Sequence, residues 1–229
     1  DAVEARIAAA AERAGRHPED VRLLPVTKFH PASDLRIARA LGFRDLGESR
    51  VQELRSKAEE LATLHIHWVL IGHLQTNKAA QAVRIASEVQ SVDSLRVARA
   101  LNNAVLRLWD EGAPSPRPLD VLLQVNAAGE EAKHGLAPTE VAGTLDQVLL
   151  LPGLSVRGFM TMAPFTDDED TIRATFASLR HLRDGMQERL GEDADLHELS
   201  MGMSHDLGIA VEEGATTVRV GTAIFGPRH

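Results

Sequence analysis

Lys28 is the residue of this sequence whose type and position best suit covalent chemistry. It ends a short apolar run that starts at Leu23 and is followed by His30-Pro31, a pattern typical of a buried strand leading into a loop. A lysine placed there is partly desolvated, which lowers the pKa of its ammonium and frees the amine to attack an aldehyde. Read alone, the position also fits a lysine whose stem covers apolar surface while its charge reaches water. The other lysines of the chain are Lys57, Lys78 and Lys133.

Glycine and hydroxyl residues near the end of the chain suit a phosphate group. Gly202 and Ser204 lie at the end of the apolar run 198–203 and directly after it. Gly221 and Thr222 lie in the same way at the end of the last run, 216–221. Backbone N–H groups and a hydroxyl in such loops bind phosphate, although each residue taken singly is also an ordinary turn residue. Together with Lys28 they predict an aldehyde that carries a phosphate, namely pyridoxal 5′-phosphate (PLP). We expect its aldehyde at Lys28 and its phosphate at Ser204, Gly221 and Thr222.

Arg219 is the one arginine inside the last apolar run. We predict that it faces the pyridine nitrogen of the cofactor. An arginine stays charged and donates a hydrogen bond, so it would leave that nitrogen unprotonated and weaken the ring as an electron sink. The alternative for Arg219 is a structural ion pair inside the fold.

Short apolar or β-branched runs alternate with helical stretches along the chain. The predicted strands are residues 22–28, 44–48, 68–72, 88–93, 119–126, 154–161, 198–203 and 216–221. The predicted helices are residues 2–15, 32–41, 51–64, 76–86, 94–109, 138–150, 169–190 and 206–213. Such alternation implies parallel strands with helical crossovers, and eight strands in about 200 residues imply an α/β fold of the closed (β/α)8 TIM barrel type. The alternative is an open, doubly wound sheet.

The barrel is expected to form a single PLP-binding domain that spans residues 1–229. The proline-rich segment 109–118 is predicted to be a surface loop, because the alternation resumes unchanged after it. No helix is predicted after the last strand, so the N-terminal helix is expected to cover that side of the barrel. Chemistry in such barrels gathers at the C-terminal ends of the strands, which is where Lys28 and the two phosphate-suited loops fall.

The composition excludes several classes of protein. A formal net charge of -8 argues against nucleic-acid binding, which needs a basic face. The absence of cysteine removes disulfides, thiolate nucleophiles and Cys-ligated metals. The sequence has neither an apolar run long enough to span a bilayer nor a visible signal peptide, and we expect a cytoplasmic protein. The chain begins inside a predicted helix without a methionine, so a few residues are expected to precede it.

Eight blocks of residues, in one order, resemble a known family over nearly the whole length. They are Val26-Thr27-Lys28, Leu46-Gly47-Glu48 with Val51-Gln52-Glu53, His67-Trp68 with Gly72-His73-Leu74-Gln75 and Asn77-Lys78, Ser91-Val92-Asp93-Ser94, Gln124-Val125-Asn126 with Lys133 and Gly135, Gly158-Phe159-Met160-Thr161-Met162-Ala163-Pro164, Leu199-Ser200-Met201-Gly202-Met203-Ser204 with Asp206, and Val218-Arg219-Val220-Gly221-Thr222 through Gly226. With these blocks the chain resembles the YggS/PROSC (PLPBP) family of pyridoxal phosphate homeostasis proteins.

The resemblance implies a barrel like the N-terminal domain of alanine racemase, with PLP held as a Schiff base at Lys28. It also implies phosphate contacts from Ser204, Gly221 and Thr222, and places Arg219 near the pyridine nitrogen. One block departs from the family, which usually reads Gly-Glu-Asn-Tyr where this chain has Gly47-Glu48-Ser49-Arg50. The side chains of that Asn and Tyr are therefore missing at these two positions of this chain.

Two functions compete for this site. A PLP-dependent racemase needs a second acid/base group, which related alanine racemases supply as a tyrosine, and this chain has no tyrosine. His73 and His205 are the candidates to replace it. We favour a non-catalytic protein that carries or buffers PLP, works as a monomer and serves PLP-dependent client enzymes. Lys78 or Lys133 is a candidate for a second cofactor-binding site, although Lys78 also fits a solvated residue at a helix start.

The sequence supports other kinds of functional site less well. A Schiff-base aldolase commonly carries its lysine on a late strand, and residues 154–161 contain none. The His65-x-His67 pair suits a metal, but it precedes the third strand and so falls at the wrong end of the barrel. The acidic run 167–170 fits a helix start better than a metal site, and no metal is expected.

Overall fold

The computed structural model describes residues 2–112, 117–130 and 134–226. Its sheet has eight parallel strands in the order β1-β8-β7-β6-β5-β4-β3-β2. The strands are β1 Arg22–Pro25, β2 Asp45–Glu48, β3 His67–Leu70, β4 Ala86–Val92, β5 Leu119–Gln124, β6 Leu154–Met160, β7 Glu198–Ser200 and β8 Thr217–Val220. The two ends of this order meet where Val26 pairs with Gly47 and the Thr27 N–H donates to the Gly47 carbonyl at 2.9 Å. The prediction of a (β/α)8 barrel is therefore confirmed.

Helices fill the connections between the strands. They are α1 Ala2–Arg13, α2 Ala32–Ala40, α3 Val51–Glu60, α4 Ala79–Ala82, α5 Leu95–Asp110, α6 Val141–Leu149, α7 Glu169–Leu190, α8 Leu207–Glu212 and α9 Thr222–Phe225. Two of them begin at a side-chain cap. Ser94 Oγ accepts from the Val97 N–H at the start of α5, and Asp168 Oδ1 accepts from the Asp170 N–H at the start of α7. The acidic run thus begins a helix, as predicted.

One unpredicted helix is present, and one predicted helix is shorter than expected. A four-residue helix, α9, follows the last strand, so the prediction that none does was wrong; it is too short to give a periodic apolar pattern. The predicted helix 76–86 is a 3-10 turn over Thr76–Lys78 followed by the four-residue α4 and a turn, and β4 begins at Ala86. The N-terminal α1 buries Val3 and Ile7, as expected of a covering helix. It meets α8, where Arg13 pairs with Glu212.

Every strand except β2 ends one to three residues earlier than predicted, and this changes where the candidate residues lie. β1 stops at Pro25, so Lys28 lies in the turn that follows. β7 stops at Ser200, so Ser204 lies in a loop that leads to α8. Within the described ranges, no helix is both long and apolar enough to cross a membrane.

Candidate cofactor site

A cavity of about 460 Å³ lies at the C-terminal ends of the strands. Its lining includes all five residues predicted to hold the cofactor: Lys28, Ser204, Arg219, Gly221 and Thr222. Its volume falls in the range of roughly 300–1,000 Å³ that is typical of small-molecule sites. The fold thus brings together residues that are up to 194 positions apart in sequence, as counted from the printed chain. Their role as cofactor ligands stays a prediction.

Lys28 is half-buried, and a network of charged side chains holds the residues on either side of it. On one side, the buried Thr27 hydroxyl donates to Glu48 Oε1 at 2.7 Å. On the other side, the Phe29 N–H donates to Glu53 Oε1 at 2.6 Å. Phe29 itself has a φ of 67°, in the left-handed region that non-glycine residues rarely adopt.

Lys57 joins the two halves of this network. Its ammonium donates to Glu48 Oε1 at 2.5 Å, to Glu53 Oε1 at 2.7 Å and to the Thr27 carbonyl at 2.7 Å. We call Thr27, Glu48, Glu53 and Lys57 the Lys57 cluster. Because the cluster bonds to the residues before and after Lys28, it fixes the backbone from which the Lys28 side chain projects.

Burial of the Lys57 cluster sets its electrostatics. The Glu48 side chain is fully buried and that of Lys57 nearly so. Desolvation raises the pKa of Glu48, while hydrogen bonding to Lys57, its charge and the Thr27 hydroxyl oppose the rise. Loss of Lys57 would therefore leave a buried carboxyl without its main compensation.

Arg219 lies in the barrel interior with only 4% of its surface exposed. It donates to Ser200 Oγ and to the Thr161 carbonyl, both at 2.8 Å. Desolvation lowers the pKa of Arg219 to about 10, and the charge of Asp206 opposes that shift. Both hydrogen-bond partners are neutral, and the charge of Asp206 acts on Arg219 without an ion-pair contact between the two in the described part of the chain. Arg219 still carries its charge near neutral pH.

The loops after β7 and β8 meet at the cavity. Ser204 Oγ accepts from the Ala223 N–H at 3.4 Å, which joins the first loop to the start of α9. Asp206 is buried and accepts from the Met203 N–H at 2.5 Å, which holds the turn that carries Ser204. Gly202 has a φ of 94°, a conformation that glycine adopts without strain.

Several lining residues were not predicted as part of the site. Among them are His30, Ser49, Gln124, His134 and Phe165. His30 is buried and packs on Phe225 with ring centroids 4.9 Å apart. In the sequence His30 is only a residue that follows the apolar run ending at Lys28, and no local pattern identifies it as a pocket residue.

The remaining sequence candidates fall in different places. His73 and His205, the candidate acid/base groups, both line the cavity. Lys78 does not line it, and Lys133 lies outside the described residues. His65 and His67 lie at the opposite end of β3, where His67 Nδ1 is 3.2 Å from Asp45. The prediction that this pair lies away from the site is confirmed.

A barrel whose strand ends surround a lysine, a buried arginine and two small-residue loops matches one class of known proteins. A family model described as "Alanine racemase, N-terminal domain" matches residues 1–229. The "Pyridoxal phosphate homeostasis protein" of Pseudomonas aeruginosa is 43% identical over 226 residues, 99% of this chain and 93% of the relative. That of Aquifex aeolicus is 38% identical, over 97% of this chain and 94% of the relative.

Solved structures agree with these sequence relatives. PipY of Synechococcus elongatus, solved with PLP bound, is 37% identical and has a TM-score of 0.83, covering 96% of this chain and all of PipY. An alanine racemase of Clostridium difficile is 12% identical with a TM-score of 0.73, a likeness of fold alone. The chain therefore belongs to the alanine racemase N-terminal domain family and, within it, to the pyridoxal phosphate homeostasis proteins, as the sequence blocks predicted.

Proposed function

We propose that this chain binds PLP covalently through Lys28 and carries or buffers it in vitamin B6 homeostasis. The observation that carries this proposal is that Lys28 lines the same cavity as Ser204, Arg219, Gly221 and Thr222. The names of its relatives and the PLP bound to PipY support it. We further propose that residues 1–229 act as one domain for this purpose.

The residues present fit this cofactor. When bound, PLP supplies an aldehyde that condenses reversibly with a lysine amine. The Lys57 cluster positions the backbone of Lys28, so the amine is presented to the cavity from a fixed turn. Ser204, Gly221 and Thr222 bind the phosphate through hydroxyl and backbone groups. Arg219 orients the ring as a donor and stays protonated, because its pKa of about 10 lies well above neutral pH.

We propose a carrier rather than an enzyme because the sequence lacks the acid/base residue that related racemases use. A racemase on this fold needs an acid/base partner for the lysine, and the chain contains no tyrosine. One feature favours the alternative of a PLP-dependent racemase: His73, which lines the cavity, lies with Nδ1 2.8 Å from Asp93. Incubation of the PLP-loaded protein with L-alanine distinguishes the two. We expect no enzyme-like formation of D-alanine, and turnover at such a rate would contradict the carrier role.

Reaction with PLP tests the central assignment. The protein mixed with PLP is expected to turn yellow as the imine forms, and borohydride reduction followed by peptide mapping should place the adduct on Lys28. Lys28→Ala should lose both the band and the adduct, whereas the matched Lys78→Ala control should keep them. An adduct on another lysine, or an unchanged band in a folded Lys28→Ala protein, would remove the assignment.

The proposed partners follow from the carrier role. We propose that the chain acts as a cytoplasmic monomer and delivers PLP to client apoenzymes. Loaded protein, freed of unbound PLP, should then restore activity to an apo PLP-dependent enzyme, and light scattering should give a mass near 24.9 kDa. A protein that releases no PLP to an apoenzyme, or a doubled mass, would contradict the corresponding part of this proposal.

A further inference from the structure

Three side chains that follow consecutive strands come together, and two of them, His73 and His134, line the cavity. His73 follows β3, Asp93 follows β4 and His134 follows β5. Each offers one ligand atom, and these atoms all lie within 4.8 Å of one another. We propose that His73, Asp93 and His134 bind a divalent transition-metal ion of the Zn²⁺ class. The proposal does not depend on the carrier function, because none of the three is among the five proposed PLP ligands.

The contacts within the triad already resemble a partly assembled site. His73 Nδ1 lies 2.8 Å from Asp93 Oδ2, and the two imidazole rings stack with centroids 4.2 Å apart. His134 Nδ1 lies 4.0 Å from the same oxygen, too far for a hydrogen bond. Ligand atoms bound at about 2.1 Å to one ion lie roughly 3.0–3.5 Å from each other. Small rotations of the two histidines, which are exposed, would bring the donors to that spacing.

The backbone beside both histidines is held in place, which lowers the entropic cost of binding. Ser91 Oγ donates to the carbonyl of Gly72, directly before His73, at 2.7 Å. Gln124 Nε2 donates to the carbonyl of His134 at 3.0 Å. The two loops that carry the histidines are thus fixed so that their side chains converge.

The carboxylate of Asp93 is also positioned to bind the ion. Its side chain is only 9% exposed, and its Oδ1 accepts a 3.3 Å hydrogen bond from Ser94 Oγ, which leaves Oδ2 directed toward the histidines.

A glycine adjoins each histidine, and both glycines pack closely against the backbone of another segment. A Cβ at Gly135 would lie 2.7 Å from the Asn126 nitrogen, and one at Gly72 would overlap the Ser49 carbonyl.

The chemistry of the donors selects the ion. Two imidazoles and one carboxylate suit Zn²⁺, Co²⁺, Ni²⁺ or Fe²⁺, whereas Mg²⁺ and Ca²⁺ prefer oxygen alone. Three protein ligands leave at least one coordination position open, as in zinc sites that take up water or a small ligand. The ion would therefore lie at the mouth of the cavity with an exchangeable position.

Calorimetric titration of the cofactor-free protein with ZnCl₂, repeated with the PLP-loaded protein, tests the site. We expect saturable binding of one Zn²⁺ per chain in both forms, so the result does not depend on PLP. His134→Ala and Asp93→Asn should each weaken binding by about tenfold or more, since even the loss of groups behind metal ligands costs that much. His197→Ala is the matched control: its Nδ1 lies 2.9 Å from Asp195 in a similar exposed pair, and it should bind Zn²⁺ unchanged.

Cobalt gives a second, independent readout. Co²⁺ should produce visible absorption bands in the cofactor-free protein and in His197→Ala, and His134→Ala should lack them although its circular dichroism is unchanged. No saturable Zn²⁺ binding to the unaltered protein would overturn the proposal. So would wild-type affinity in folded His134→Ala, or binding that His197→Ala abolishes.

Discussion

Lys57→Met removes the ammonium that joins Glu48, Glu53 and the Thr27 carbonyl while keeping most of the side-chain volume. The Glu48 side chain is 0% exposed and that of Lys57 is 9% exposed. Removal of one partner from a buried ion pair leaves an uncompensated charge and costs about 3–5 kcal/mol. We expect the free energy of unfolding to fall by about that amount at pH 8.

The loss should depend on pH in a direction that follows from Glu48. Burial raises the pKa of Glu48 and Lys57 opposes that rise, so Lys57→Met should raise it further. An acid whose pKa is higher in the folded protein favours folding at low pH, where it is neutral, and this contribution is lost as the pH rises through the folded pKa. The deficit relative to the unchanged protein should therefore be small near pH 5 and largest near pH 8.

Urea unfolding at both pH values, followed by circular dichroism, measures the deficit. Lys78→Met is the matched control, because this lysine lies outside the cavity and the Lys57 cluster, and it should change stability little at either pH. Glu48→Gln combined with Lys57→Met should recover part of the loss, since the buried charge is gone. A deficit equal at both pH values, or a double variant no more stable than Lys57→Met, would refute this account of the cluster.

Three further substitutions have defined outcomes. Gly72→Ala should destabilise the protein by more than about 1 kcal/mol in urea unfolding, because its Cβ would overlap the Ser49 carbonyl. Arg219→Met should destabilise the protein by about 1–3 kcal/mol in urea unfolding, since the buried Thr161 carbonyl loses its 2.8 Å donor, and it should weaken PLP binding about tenfold in absorbance titrations. Asn102→Ala should cost about 1–3 kcal/mol in urea unfolding, since the buried Gly153 N–H loses its 2.9 Å acceptor.

The fold and the main cavity residues could be predicted because their signals are local. Each strand contains at least one buried apolar residue, and α7 spans the predicted residues 169–190. The barrel rule then places Lys28, Ser204 and Gly221 at one end. The ends of the strands could not be predicted to the residue. Tertiary hydrogen bonds decide them, as when the Thr27 N–H bonds to Gly47 across the barrel closure after β1 has ended.

The Lys57 cluster and the His73, Asp93 and His134 triad could not be predicted, because their members come from different elements. Glu53 and Lys57 are four residues apart on α3, so their pairing was accessible from helical spacing. Nothing in the sequence shows that Glu48, at the end of β2, accepts from the same ammonium. Such contacts appear only when parallel strands set side chains from separate loops against each other.

The geometry around Lys28 bears on whether it is an anchor or an ordinary surface lysine. A non-glycine residue in the left-handed region costs about 1–2 kcal/mol, and Phe29 adopts it beside Lys28, with its N–H held by Glu53. A buried ion pair is likewise costly to desolvate and stabilises little on balance. A lysine that merely reaches water needs neither, because its side chain finds solvent from almost any backbone conformation. The strained turn and the buried cluster together make sense if the chain must present the Lys28 amine to the cavity in one direction.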